Sequence, residues 1–122
     1  MMKRLSLLIA FCLFASLPAA AGDCGQPPLD KPTIPNGATA TTEHIRLARD
    51  AVVAYSEKVD KYLSCMDTWG QQIMPFMTKD QKARWAEDLA SLHNGRRNLQ
   101  IQMNDAIRAY RDAHLHEEEG GK

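Results

Sequence analysis

The chain has 122 residues, 15 basic against 15 acidic side chains, 44% apolar residues and three cysteines. That length fits one domain and excludes a large multi-domain enzyme. A zero net charge argues against a nucleic-acid binder, which needs a basic face to displace counterions from phosphates.

The N-terminus alters these counts. Met1-Met2-Lys3-Arg4 is a short basic start, Leu5 to Leu17 carries no charge, and Pro18 breaks that run before Ala19-Ala20-Ala21. A basic start, a short apolar stretch and an Ala-x-Ala end predict a secretory signal peptide over residues 1–21. The apolar run is shorter than the roughly 20 residues a membrane-spanning helix needs. Cleavage after Ala21 leaves Gly22 to Lys122, with 13 basic and 15 acidic residues. No stable membrane anchor is then expected, and the location is periplasmic or secreted. Cys12 departs with the leader, so Cys24 and Cys65 remain. In an exported protein such an even pair predicts a disulfide.

Residues 22–40 form the next segment. Pro27, Pro28, Pro32 and Pro35 each fix φ and remove a backbone donor, and Asn36-Gly37 is a turn dipeptide. An extended arm is predicted here. From Thr41 the apolar residues Ile45, Ala48, Val52, Tyr55, Val59, Tyr62 and Met66 recur at alternating spacings of three and four. That is a helical seam. Thr39 or Thr41 can act as N-cap, and Glu43 suits the positive end of the helix dipole. The first helix is predicted over 41–67, with room to extend toward Gly70.

Gly70 to Met77 reads as the connection, because Pro75 disfavours helical backbone at Met74. Thr78-Lys79-Asp80-Gln81 has the form of a capping box. Trp85, Leu89, Leu92, Leu99, Met103, Ala106 and Tyr110 continue the three-four spacing, with Arg96 filling the gap. The second helix is predicted over 78–114, weakest or kinked at Gly95, which costs about 1 kcal/mol relative to Ala. Residues 115–122 are expected to be a fraying polar tail. Residues 41–114 would thus form a two-helix hairpin.

The fold expected is all-α: an antiparallel helical hairpin with an extended Pro-rich arm pinned by a disulfide. Thr41 to Cys65 spans roughly 36 Å of helix at 1.5 Å per residue. The arm from Cys24 to Thr41 can reach roughly 56 Å fully extended. It can therefore fold back along the first helix, with Leu29 and Ile34 as its apolar anchors, and bring Cys24 to Cys65.

Several motifs together suggest a relationship. Ile34-Pro35-Asn36-Gly37-Ala38-Thr39-Ala40-Thr41 opens the first helix, and Tyr62-Leu63-Ser64-Cys65 stands near its end. Met103-Asn104-Asp105-Ala106-Ile107-Arg108-Ala109-Tyr110 stands near the end of the second. With the cysteine of the Pro-rich arm, this pattern resembles a group of small uncharacterised exported proteins of Gram-negative bacteria. Met103 stands where that group tends to carry Phe, a tolerable volume swap in a seam. The resemblance implies export and the arm-plus-hairpin plan, and it carries no activity to transfer.

Candidate sites are few. His44, His93, His114 and His116, with Glu43 and Glu117 to Glu119, could suggest a metal site, and at one end of an antiparallel hairpin His44 could approach His114 or His116. His114 and His116 point apart on one helix, however, and a solvated acidic tail accounts for the run. Arg96 occupies a seam position. It either pairs with Glu57 or Asp60, contacts a ligand, or snorkels with its head in water, and snorkelling is the expectation. Trp69, Met74, Phe76, Met77 and Trp85 surround the connection. They are expected to plug the hairpin end, or, if exposed, to form a patch for a partner. Ser56, Ser64 and Ser91 lack a His and acid at catalytic spacing. Met77 to Gln81 resembles one copy of the "LTxxQ" motif of periplasmic stress chaperones, with Met in place of Leu.

The expectation for function is a non-enzymatic structural or protein-interaction module in the periplasm, without cofactor, engaging a protein partner or a second copy and no nucleic acid. The alternative is a periplasmic stress chaperone or metal-binding protein of the LTxxQ-like type.

Overall fold

A computed structural model describes residues 24–120, without the side chains of residues 116–119. The signal peptide expected at residues 1–21 lies outside the described residues, as do Cys12, the His116 side chain and the last two residues of the tail. Among the described residues, no helix is long and apolar enough to cross a membrane.

Two helices account for most of the chain. Helix α1 runs Thr42–Ile73, a 3-10 turn covers Met74–Phe76, and helix α2 runs Lys79–Gly120. Thr41 caps α1: its hydroxyl accepts from the His44 backbone N–H at 3.1 Å. Thr78 and Gln81 form the reciprocal capping box of α2. The Thr78 N–H donates to Gln81 Oε1 at 2.9 Å, and the Gln81 N–H donates to Thr78 Oγ1 at 3.2 Å. Contacts pair residue 42 with 110, 56 with 100, 60 with 96 and 69 with 85, so the helices are antiparallel.

Three boundaries differ from the sequence reading. Helix α1 continues past residue 67 and through Gly70 to Ile73. Gly70 does not end the helix. It is buried against the Trp85 indole, where an added Cβ would come within 3.2 Å of the ring. Met74 keeps right-handed helical backbone (φ −55°, ψ −37°) despite preceding Pro75, because the chain tightens there into the 3-10 turn. Helix α2 passes residue 114 and continues to Gly120, since Leu, His and Glu carry no helix break before the glycines. It is one unbroken helix through Gly95.

The core lies in the half of the hairpin nearest the start of α1. Ala48, Val52, Tyr55 and Val59 pack against Leu99, Met103 and Ala106, with Ile34, Ile45, Leu63, Leu92 and Ile107 around them. The seam residues of α2 nearer the connection, Trp85, Leu89 and Leu92, are only half-buried. The core therefore thins toward the connecting end.

The arm is extended and lies along the hairpin. Cys24 and Cys65 form the expected disulfide, with Cα atoms 5.6 Å apart. The Tyr55 hydroxyl donates to the Pro28 carbonyl at 3.0 Å. Ile34 packs on the core as expected. Asn36 builds the turn into α1, its side chain accepting from the Ala38 N–H at 3.0 Å. Gly37 is buried with its backbone on the Ala106 carbonyl, so close that a Cβ would overlap that oxygen. Leu29 is not an anchor: it is 73% exposed. The arm is held instead by the disulfide, the Pro28 carbonyl, Ile34 and Gly37.

Candidate functional site

Where the core thins, the arm roofs a cleft of about 370 Å³ between the two helices. Its walls come from α1 (Tyr55, Tyr62, Met66) and α2 (Trp85, Leu89, Leu92), with Asp88 and Ser91 also lining it. The roof is Pro27, Leu29 and Lys31. Gln26 and Pro28 instead line a second depression beside Cys24 and Cys65. A tight turn, in which the Lys31 N–H donates to the Leu29 carbonyl at 3.0 Å, sets the Leu29–Lys31 edge.

The cleft wall is largely aromatic, with Tyr55, Tyr62 and Trp85. Burial raises the Tyr62 phenol above its ordinary range, and the Asp88 carboxylate adds to the effect. Burial also raises Tyr55. Trp85 leans on Trp69 with ring centroids 5.2 Å apart and planes tilted by 49°.

The aromatic and sulfur residues around the connection divide into two sets. Trp69 and Trp85 pack together over Gly70 and close the hairpin end. Met74 and Phe76 do not join that plug: both are exposed, Phe76 by 87%. Met77 is half-buried. Pro75 and the 3-10 turn carry Met74 and Phe76 away from the seam.

Arg96 does not snorkel freely. Its side chain is 14% exposed and its guanidinium pairs with Asp60, which is 66% exposed. It also donates to His93 Nδ1 at 2.9 Å. Its Nε is buried without a hydrogen-bond partner. This is the interhelical ion pair that the seam position allowed. It ties α1 to α2 beside the half-buried hydrogen bond in which Gln100 Nε2 donates to Ser56 Oγ at 3.2 Å.

His44 and His114 are not brought together as ligands. His44 is exposed. His114 stacks on Tyr110, with centroids 3.9 Å apart, and its Nδ1 lies 2.9 Å from the Tyr110 carbonyl. Tyr110 in turn shares a hydrogen bond with the Thr42 hydroxyl. Glu43 is engaged by Arg46, whose hydrogen bond holds that carboxyl below its usual range. Among the described residues, no group of three His, Cys, Asp or Glu side chains converges as a metal site. The Thr and Gln of the LTxxQ-like stretch serve as the helix cap.

Sequence reasoning named Trp85 but missed Tyr55, Tyr62, Leu89, Leu92 and Lys31 as parts of one site. The helical residues read as ordinary seam positions. No local signal in the arm marks Pro27, Leu29 and Lys31 as the roof. Comparison with protein-family models, with curated proteins and with solved structures gives no match to this chain.

Proposed function

We propose that the chain is an exported, non-enzymatic helical hairpin that works in the periplasm as a structural or protein-interaction module. The observation that carries this reading is Phe76, a large aromatic side chain held 87% exposed beside the exposed Met74 at the turn between the helices. Aromatic and methionine side chains are enriched where proteins meet. The signal-peptide-like start, the disulfide and the resemblance to small exported proteins support the location.

The test places a photo-crosslinking phenylalanine analogue at Phe76 and, as control, at the exposed Gln102 on α2. The full chain is expressed in a Gram-negative host and irradiated in cells. The expected result is one discrete adduct from position 76 in the periplasmic fraction. Equal labelling from both positions, or no adduct from position 76, contradicts the reading.

A further inference from the structure

We propose that the arm-roofed cleft, together with a polar shelf beside it, is a binding site for a free medium-chain carboxylate, a single-chain anionic amphiphile. The inference does not depend on a protein partner at Phe76.

The cleft supplies the apolar half. Its volume falls within the range of roughly 300–1,000 Å³ usual for small-molecule sites, and its walls are aromatic and aliphatic with few polar groups. It is elongated. From Trp85 to Leu92 is roughly 10 Å along α2, and from Tyr55 to Met66 roughly 16 Å along α1. That shape suits an extended chain lying along the helices better than a compact ring system.

The shelf supplies the polar half. Lys31 and Ser91 line the cleft and also line an adjoining depression with Asn94, Gly95 and Asn98. The Lys31 ammonium lies over Gly95, where an added Cβ would stand 2.9 Å from Nζ. The absent side chain at 95 is what lets the cation lie against α2. Around it stand two amides and a hydroxyl, all able to donate to a carboxylate. Glu87 borders the shelf and Asp88 the cleft, but among the described residues neither pairs with Lys31 within 4.0 Å. The cation is available, and donors flank it, at the end of an apolar trough. An acyl chain along Tyr62, Leu89 and Leu92 would place its carboxylate at Lys31. Leu29, exposed on the roof, would gain cover from the chain.

The test titrates the oxidised protein with decanoate below its micelle concentration, reading tryptophan emission, since Trp85 is in the wall. Decanol and decyltrimethylammonium serve as neutral and cationic comparators. We expect saturable binding of decanoate, tighter than either comparator. Affinity should rise by roughly fourfold per methylene from hexanoate to decanoate. Lys31→Glu lies on an exposed side chain and should leave the circular dichroism spectrum unchanged. It should weaken decanoate at least tenfold while leaving decanol within twofold. Leu92→Trp, which fills the trough, should weaken both. No saturable decanoate signal, tighter binding of the cationic comparator, an unaltered decanoate affinity in Lys31→Glu, or binding to anionic phospholipid vesicles in place of the free acid would each overturn the proposal.

Discussion

At Gly37 the arm backbone rests on the Ala106 carbonyl of α2, leaving no room for a side chain. The turn dipeptide was legible in the sequence, but this second reason for glycine was not, because Ala106 lies 69 positions away. Gly37→Ala should therefore lower stability by about 2 kcal/mol, as overpacking does. Gly120→Ala, which meets nothing within 4 Å, should change it little. Paired urea melts of the two variants measure the difference, and equal midpoints would contradict the close approach. Arg96 teaches a similar lesson. Its seam position was visible in the three-four spacing, and Asp60 was one of two partners the spacing allowed. The register between the helices decided between Asp60 and Glu57, and one sequence does not fix that register.

At the scale of the element, helix starts were legible and helix ends were not. Thr78 announced one N-terminus, and Thr41, one of two candidates with Thr39, the other, through side chains that bond their own backbone, a local effect readable from a few residues. Thr78→Ala should remove that contact and cost about 1 kcal/mol in chemical denaturation. Loss of solubility or partner binding without loss of stability would mean that the motif does something other than cap. The end of α1 was misread because Gly70 looks like a stop from its own backbone freedom. Packing overrides this: the Trp85 indole lies tight against Gly70, 3.2 Å from where a Cβ would stand. At the end of α2 the polar run lacked a core-facing pattern, yet nothing in it breaks a helix before Gly120. Periodicity reports burial, and a helix can outrun its buried face.

At the scale of the whole molecule, the described residues form a hairpin whose main buried cluster occupies one half, with the arm laid across it and fastened near the other end by Cys24–Cys65. The disulfide was legible because the leader expected at residues 1–21 would take Cys12 with it, leaving two cysteines, and because the arm is long enough to span α1. The cleft was not, since it exists only where the seam of α2 fails to fill the space under the roof. A two-helix domain with so short a buried core needs a staple. Closing a separation of 41 residues contributes on the order of 4 kcal/mol in the chain-entropy account. The most direct measurement is a pair of thermal melts on the same protein, oxidised and fully reduced, followed by far-ultraviolet circular dichroism. The disulfide-fastened arm predicts that reduction lowers the midpoint by on the order of 20 °C, and coincident melting curves would contradict it.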